Sequence, residues 1–403
     1  MPARARLLAL WLPLVGSLAF VPAAPGENKS ADAAVITWKK TVLDRAFRSE
    51  GVAVADVNRD GKLDILNGEV WYEAPDWRPH EIRPSKDYTD GMKNVYSHSF
   101  ACWAEDLNGD GFPDLIVIDF PGTPCYWLEN PKGKEGHWKK HEICTSACNE
   151  TPQYVDLFGN GRRVLVMGYL EKQMVWLAPG ADPTQPWEIH PISDPDKPAP
   201  GSQRFSHGLG IGDLNGDGRL DVIVTKGWWE QPAKSDGKTP WKFHPANLGE
   251  DCADMHAYDI GGDRKADVIS SSAHRFGIWA HLQKPGDPDP TFVKQDLFPK
   301  LVSQTHALHV VDINGDGLKD LVTGKRWWAH GPTGDADPNA PAKLYWFEAR
   351  KKDGVTSFVP HEIDDDSGIG TQFVVTDVNG DGLPDIVISN KKGTFLFEQV
   401  RKK

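Results

Sequence analysis

The chain has 403 residues, of which 39% are hydrophobic and 25% are charged, and this balance is typical of a globular protein and excludes a disordered one. The formal net charge of −12 argues against nucleic acid as a partner, because a basic face supplies most of that affinity. Glycine (39) and proline (31) are both plentiful, which predicts many turns and few long helices.

The N-terminus has the features of a secretory signal peptide at 1–23. Two arginines precede an apolar run over 7–20, and Ala23 ends a small-residue cleavage site. The run is short for a membrane span, although a retained anchor is the alternative. We expect 24–34 to be a short linker and 35–403 to be one monomeric domain, secreted or periplasmic, with no membrane span after removal of the signal.

The chain contains five cysteines, and an odd number leaves at least one thiol unpaired in an exported protein. The local pairings are Cys102 with Cys125 and Cys144 with Cys148. Cys252 is the thiol that we expect to be free. None of the five has the spacing of a zinc finger.

A short acidic phrase recurs seven times along the chain. Its first residues are Asp56, Asp106, Asp156, Asp213, Asp259, Asp312 and Asp377. The steps are roughly 46 to 65 residues, the size of a propeller blade of about four strands. A second phrase, an aromatic residue followed by a short alternating strand, keeps the same count and begins at Trp38, Trp77, Trp138, Trp187, Trp241, Phe292 and Phe358.

Each repeat is predicted to form four strands, with strand A before the acidic loop, strand B after it, an aromatic strand C, and the second phrase as strand D. The first element of the chain is a strand D at Trp38, and the last is a strand C at 394–397. The N-terminal strand can therefore complete the final blade and remove an exposed sheet edge. The sequence predicts an all-β fold, a seven-bladed β-propeller of four-stranded blades closed by the N-terminal strand.

Five acidic loops follow the full spacing Asp-x-Asn-x-Asp-Gly-x-x-Asp. Oxygen donors at positions 1, 3, 5 and 9, with glycine at 6, resemble the ligand plan of an EF-hand, although strands flank the loop and position 12 has no Glu. Clustered carboxylates repel one another unless a cation neutralises them, while Asx turns without metal are the alternative. We expect about five structural Ca²⁺ sites, with the ligands Asp56, Asn58, Asp60, Asp64, Asp106, Asn108, Asp110, Asp114, Asp213, Asn215, Asp217, Asp221, Asp312, Asn314, Asp316, Asp320, Asp377, Asn379, Asp381 and Asp385.

The other two acidic loops depart from this spacing. The third, with Asp156 and Asn160, lacks a ligand and is expected to be empty. The fifth, with Asp259, Asp263 and Asp267, is incomplete. Taken together, the loops resemble those of FG-GAP/VCBS repeat proteins, a family that includes the integrin α-subunit propeller. The resemblance covers nearly all of 35–403 and implies a seven-bladed fold with calcium, without fixing a function.

Strand order sends the calcium loops to one face and the D–A and B–C connections to the other, around the mouth of a central channel. Each repeat has one strong donor near the start of strand A, and these are Glu50, His98, Gln153, His207, His256, His306 and Gln372. Four imidazoles with Glu and Gln suit Zn²⁺ or Mn²⁺, and a hydrogen-bonded polar lining is the alternative. The unequal spacing from donor to acidic loop predicts that the seven do not all lie at one height.

The remaining histidines and the B–C connections complete the prediction. His80, His141, His190, His244 and His361 share one place in strand D and are expected to pack there, as His309 is in strand A. The channel face adds candidate groups for base or charge stabilisation, namely Lys226, His274, Arg275 and Arg326. Aromatic rings beside cations suit a carbohydrate or another small anionic ligand, although strand packing is the alternative for Trp228 and Trp327.

Two functions fit this pattern. One is a metal-dependent lyase or dehydratase that acts by β-elimination, in which a metal polarises a carboxylate or keto oxygen while a base removes the neighbouring proton. In architecture this is similar to propeller-fold oligogalacturonate and ulvan lyases and to the propeller of aldos-2-ulose dehydratase, although no lyase motif matches residue by residue. The other is a non-catalytic carbohydrate- or protein-binding adhesion propeller, which does not require four imidazoles at one channel mouth.

Overall fold

The computed structural model describes residues 35–88, 96–286 and 289–402, and over these ranges the chain forms 28 β-strands and no helix. The predicted signal peptide and linker lie outside the described residues. Within the described ranges no helix is long and apolar enough to cross a membrane. The all-β prediction is confirmed.

The strands follow one another in antiparallel runs of four. After β1 (Val35–Asp44), the first three runs are β2 (Ala53–Ala55), β3 (Asp64–Leu66), β4 (Val70–Glu73) and β5 (Arg78–Glu81); β6 (Ala101–Glu105), β7 (Asp114–Ile118), β8 (Thr123–Glu129) and β9 (Lys139–Ala147); and β10 (Gln153–Val155), β11 (Val164–Tyr169), β12 (Gln173–Ala178) and β13 (Glu188–Pro191). The next three runs are β14 (Leu209–Gly212), β15 (Asp221–Val224), β16 (Gly227–Glu230) and β17 (Lys242–Pro245); β18 (Met255–Tyr258), β19 (Asp267–Ser271), β20 (Phe276–Lys284) and β21 (Thr291–Ser303); and β22 (Leu308–Val311), β23 (Asp320–Gly324), β24 (Leu344–Lys352) and β25 (Val355–Asp364). The last run is β26 (Val374–Thr376), β27 (Asp385–Asn390) and β28 (Gly393–Lys402).

The two ends of the chain meet in one sheet. Strand β1 pairs antiparallel with β28, from Val35 opposite Lys402 to Asp44 opposite Thr394, so it takes the fourth place in the last run. This is the place that the sequence assigned to the strand at Trp38. The pairing covers an edge of β28 that would otherwise leave its backbone groups exposed.

The runs assemble into five hydrogen-bonded sheets, because two bridges join neighbouring runs. One bridge links β11 to β9, and the other is a parallel pairing of β14 with β18. Glycine makes the parallel pairing close, since a Cβ at Gly210 would lie 2.0 Å from the carbonyl oxygen of Met255. Gly212 is equally restricted, because its Cβ would lie 2.3 Å from that of Ala257.

Seven clusters of buried apolar side chains form the core, and each draws on two neighbouring runs. Trp127 and Leu165, for example, share the cluster between the second and third runs. Tyr72 of the first run packs in the same cluster as Leu396 of the last run. Because burial of one large apolar side chain contributes about 1.5–3 kcal/mol, these shared clusters are what hold the runs side by side.

The histidines predicted to pack in strand D all stack on a tryptophan directly opposite in strand C. The five pairs have ring centroids 3.8 to 4.4 Å apart, and they are Trp71–His80, Trp127–His141, Trp176–His190, Trp228–His244 and Trp346–His361. In the other two runs a lysine instead of a histidine lies over the aromatic ring of strand C, which is Trp279 in one run and Phe397 in the other. Cross-strand aromatic pairs of this kind contribute about 0.5–1.5 kcal/mol each.

His281 of β20 gives the fold a dependence on pH. The side chain is buried, and its Nδ1 has no hydrogen-bond partner among the described residues. Burial, with the nearby charge of Lys294, lowers the pKa of His281 from 6.5 to about 4. The unfolded chain takes up a proton in that range and the folded chain does not, so the free energy of unfolding falls as the pH falls from 6.5 to 4.

We expect His281→Gln to remove this part of the acid sensitivity. Between pH 7 and pH 4 the wild-type protein should lose up to about 3 kcal/mol more of its free energy of unfolding than the variant loses. Urea unfolding at a series of pH values measures the difference. If the free energy of unfolding changes equally with pH in the two proteins across that range, His281 is protonated in the folded state as readily as in the unfolded one.

Candidate functional site

Three histidines from separate runs meet at the ends of the strands opposite the acidic loops. His207 and His306 each lie two residues before the first strand of a run, β14 and β22, and His274 lies in the connection between β19 and β20. One ring nitrogen of each lies within 4.8 Å of the others, and the ring centroids are 4.7 to 5.4 Å apart. We call these three residues the histidine cluster.

The cluster contains buried nitrogens that lack a hydrogen bond. The side chains of His306 and His207 are 1% and 7% exposed. Among the described residues, neither of their Nε2 atoms has a hydrogen-bond partner, whereas the Nδ1 of His274 faces the carboxylate of Asp335 at 3.3 Å. An unsatisfied buried polar atom costs about 1–3 kcal/mol, so two of them side by side mark a place where the fold leaves ring nitrogens unpaired.

A buried carboxylate, Glu150, lies beside two of the three histidines. Its Oε2 lies 3.5 Å from His207 Nε2 and 3.9 Å from His306 Nε2. Arg326 donates a 2.8 Å hydrogen bond to the same oxygen and also hydrogen-bonds Glu50, so one guanidinium joins two carboxylates in the interior. Three imidazoles and one carboxylate are ligands that suit Zn²⁺ and related ions.

The charges around the cluster set different protonation states for its members. Burial raises the pKa of Glu150, but the charges of Arg326 and His207 outweigh it and hold that pKa well below the ordinary value. Burial and the charge of Arg326 keep the pKa of His306 well below its ordinary value. His306 is therefore neutral at physiological pH, which is the form that binds a metal.

A second group, His330 and Asp335, borders the cluster on its solvent side. One ligand atom each from His274, His330 and Asp335 lie within 4.8 Å of one another. Asp335 contacts the Nδ1 of His330 at 2.7 Å and the Nδ1 of His274 at 3.3 Å. Burial raises the pKa of Asp335, but these two histidines outweigh it and hold the pKa below the ordinary value. The carboxylate therefore fixes the orientation of both rings.

Tyr96 and Lys391 lie beside the Arg326 guanidinium at the same end of the strands. The Lys391 Nζ is 4.5 Å from the Tyr96 ring centroid, and the Arg326 guanidinium carbon is 5.9 Å from it. Burial lowers the pKa of Lys391 to about 8, and burial raises the pKa of Tyr96 to about 12. Lys391 also donates a 2.8 Å hydrogen bond to the backbone carbonyl of Trp328, and this bond holds the Lys391 ammonium beside the Tyr96 ring.

Three other predicted channel donors make contacts elsewhere. Glu50 pairs with Arg326. Gln153 donates to Asp254 at 3.0 Å, and Gln372 accepts from the backbone N–H of Val52 at 2.8 Å. The structure therefore uses these polar groups to tie the inner strands together, and within the described ranges Glu50 does not belong to a group of His, Cys, Asp and Glu ligand atoms that converge.

The two remaining channel histidines also lie apart from the cluster. His98 is half exposed and pairs with Asp119 at 2.7 Å. His256 is the second residue of β18, and its Nε2 lies 2.7 Å from the carbonyl oxygen of Leu308 in the next inner strand. Because His256 lies inside its strand, its ring contacts the backbone of the neighbouring strand. His207 and His306 precede their strands, and their rings reach the cluster.

The predicted base and charge-stabilising groups are spread across this face. His274 belongs to the histidine cluster, while Lys226 and Arg275 are exposed. The Arg326 side chain is 1% exposed between two carboxylates, which places it as an anchor for Glu150. Of the tryptophans, Trp228 is buried in the core, as packing requires.

Two further tryptophans lie in the same connection between strands as His330. Trp327 and Trp328 stack on each other at 4.1 Å and remain partly exposed. Trp328 has a φ of +54°, a left-handed conformation that costs about 1–3 kcal/mol for a bulky residue and occurs most often at functional sites. It lies two residues before His330, so the strained backbone and the second group share one connection.

The acidic loops have a common internal geometry. In the sixth loop Asp312 accepts from the N–H groups of Gly315 and Gly317, which forms an Asx turn. Asp320, at position 9, is buried and accepts from Ile313 in the loop and from Ala349 in β24. The same pair of contacts recurs for Asp64, Asp114, Asp221, Asp267 and Asp385.

The third loop differs at position 9. Asp156 still accepts from the N–H groups of Asn160 and Gly161, so the turn itself is kept. Val164 occupies the place of the buried aspartate. The turn therefore forms without the last carboxylate, which makes this loop an internal comparison for the other loops.

Comparison with known proteins gives a family match over a short segment. The family model of the FG-GAP repeat matches residues 369–395. No curated protein sequence matches the chain.

Several solved structures resemble the chain at low identity. BBS1N in complex with ARL6DN is 10% identical over 90% of this chain and 96% of that chain, with a TM-score of 0.49. The rhamnogalacturonan lyase YesW is 12% identical over 91% and 74%, with a TM-score of 0.42. The Photorhabdus luminescens Tc holotoxin pore is 16% identical with a TM-score of 0.37, and the match covers 91% of this chain and 16% of the toxin chain. The segment that matches the FG-GAP repeat model, 369–395, contains β26, the last acidic loop and β27.

Proposed function

We propose that the chain is a secreted, calcium-stabilised seven-bladed β-propeller that acts as a metal-dependent carbohydrate lyase or dehydratase. The seven runs of four strands, each sharing a core cluster with its neighbours, support the propeller. Closure of the ring between the first and last runs is supported by two contacts. One is the apolar cluster that contains Tyr72 and Leu396, and the other is the 2.8 Å hydrogen bond from Val52 N–H to Gln372. The D–A and B–C connections then surround one mouth of the channel.

The observation that carries the catalytic proposal is the convergence of His207, His274 and His306, in which the buried Nε2 atoms of His207 and His306 are unsatisfied. We propose that these three residues, with Glu150, hold one divalent transition metal ion such as Zn²⁺ or Mn²⁺. When bound, such an ion supplies Lewis-acid polarisation of a carboxylate or keto oxygen of the substrate. The acidity of the proton on the adjacent carbon rises as a result.

His330 is the residue best placed to take that proton. Its ring centroid lies 4.9 Å from that of His274, and its side chain is 36% exposed on the side from which a ligand arrives. Asp335 holds its Nδ1, so Nε2 is left as the basic atom. Tyr96 and Lys391 are the groups near the site that can return a proton to the leaving oxygen. The exposed faces of Trp327 and Trp328 suit a pyranose ring.

Metal analysis combined with an elimination assay tests this proposal. Purified protein should contain about one transition metal ion per chain besides calcium, and it should form the ultraviolet-absorbing double bond of an unsaturated uronate from polygalacturonate or from a glucuronate polymer. His330→Gln should keep the metal and lose the product. Protein that contains calcium alone contradicts the metal site. Metal-loaded protein that binds these polymers without forming the double bond supports the non-catalytic binding function instead.

The calcium loops give a separate prediction with a matched control. We expect Asp312→Ala to lose one bound calcium ion per chain and about 2–3 kcal/mol of the stabilisation that calcium provides at a concentration near 100 times its Kd. Asp156→Ala removes the same Asx turn from the third loop, which we predict to be empty. It should therefore leave calcium binding unchanged.

Calcium titration and melting in calcium or chelator measure both effects. If the two variants bind the same number of calcium ions as the wild type, the loops are Asx turns that need no metal. A loss of one ion from Asp156→Ala would contradict the assignment of the third loop.

A further inference from the structure

Two buried cysteines face each other across one hairpin. Cys125 of β8 lies directly opposite Cys144 of β9, and their Sγ atoms are 3.3 Å apart. The side chains are 0% and 3% exposed. The ladder is irregular on both sides of Cys125, where the register shifts, so backbone hydrogen bonds hold the two strands less regularly at this point than elsewhere.

The other three cysteines have different neighbours. The Cys102 sulfur is 2.9 Å from the hydroxyl of Ser99, and the Cys148 sulfur accepts from the N–H of Glu171 at 3.2 Å. Cys252 is buried at the start of the fifth run, beside Gly208. The pairings of Cys102 with Cys125 and of Cys144 with Cys148 are therefore not the ones that the fold brings into contact.

We propose that Cys125 and Cys144 form a disulfide that cross-links β8 and β9. A disulfide has an S–S distance of about 2.05 Å, so each sulfur has to move by only about 0.6 Å. Such a bond would connect β8 and β9 covalently at the point where the pairing of the two strands is irregular. It belongs in a chain that folds in an oxidising compartment, which is where a signal peptide at 1–23 would deliver it.

The bond forms by thiol–disulfide exchange while the hairpin is still accessible during folding. One of the two cysteines attacks as its thiolate. It displaces one thiolate from a small-molecule disulfide such as oxidised glutathione, and the other cysteine then displaces the second. Both cysteine protons are released, and the oxidant leaves as two thiols, so two electrons pass from the cysteine pair to the glutathione.

Thiol counting and peptide mapping test the proposal on the full chain. Protein expressed in an oxidising compartment, or refolded with oxidised glutathione, is denatured and alkylated without reductant. We expect three alkylated cysteines, and before alkylation the mass of the oxidised chain should be 2 Da below that of the reduced chain, a loss of two hydrogens. The nonreduced digest should contain one linked peptide that joins Cys125 to Cys144.

Two variants sharpen the result. Cys102→Ser should keep the linked peptide, and Cys125→Ser should lose it and expose four alkylatable thiols, which are all of the cysteines that remain. Five alkylated cysteines in the oxidised wild-type protein overturn the proposal, as does a linked peptide that contains any other pair. The result does not depend on the metal site, so the two proposals stand or fall separately.

Discussion

His306→Ala should lower the affinity of the protein for its transition metal by at least about 100-fold and abolish elimination activity. Loss of a hydrogen-bond partner behind a metal ligand already costs 10- to 100-fold in affinity, so loss of a buried ligand costs more. His306 is 1% exposed, and its Nε2 has no hydrogen-bond partner among the described residues, so the substitution removes no hydrogen bond of that atom. Competition with a chromophoric chelator measures the change in affinity.

His98→Ala is the matched control for this experiment. Like His306, His98 precedes the first strand of a run, but it is half exposed and pairs with Asp119. We expect this variant to bind the metal with wild-type affinity. If His98→Ala and His306→Ala weaken metal binding equally, the ion is held by the ring of donors that the sequence suggests and not by the histidine cluster. Wild-type affinity in His306→Ala would contradict the cluster directly.

The features that the sequence predicts best are those that repeat. The acidic loops and the strand D histidines occur once per repeat, so each copy supports the interpretation of the others. His80 and His361, for example, stack on tryptophans in the same way although they lie at opposite ends of the chain. A residue that recurs in each repeat has the same structural role each time, and for the strand D histidines this role is packing on the tryptophan of strand C.

The histidine cluster is harder to predict because it has no repeat. His207 and His306 could be found because they precede the first strand of their runs, but the position of His256 one residue inside β18 could not be distinguished from theirs. A shift of one residue in a strand turns a side chain to the opposite face. Glu150 was missed because Gln153 was taken as the donor of the third repeat, although Glu150 lies six residues before Asp156, the same spacing that His207 and His306 have from their acidic loops.

His330 and Asp335 were missed for a related reason. They lie in the connection between β23 and β24, whose length was visible in the sequence but whose path was not. The contact between Asp335 and His274 joins residues of different runs. Only the packing of one run against the next determines such a contact, so no local pattern reports it.

Arg326→Met should lower the free energy of unfolding by about 3–5 kcal/mol, because it leaves the buried carboxylates of Glu50 and Glu150 without their shared partner. Lys343→Met provides the comparison, since Lys343 pairs with Glu362 at the surface and should contribute less than about 1 kcal/mol. Urea unfolding at neutral pH measures both changes. Equal effects of the two substitutions would show that the interior pairs are no more important to stability than a surface pair.

The same substitution should also weaken the metal site. Arg326 holds Glu150 through a 2.8 Å hydrogen bond, so its removal frees the carboxylate to turn and should reduce metal affinity by 10- to 100-fold. In the triple variant Arg326→Met, Glu50→Gln and Glu150→Gln, the buried charges are gone, so part of the lost stability should return while the metal affinity stays low. Recovery of both properties together would mean that Glu150 is not a ligand and that the metal responds to Arg326 through the stability of the fold alone.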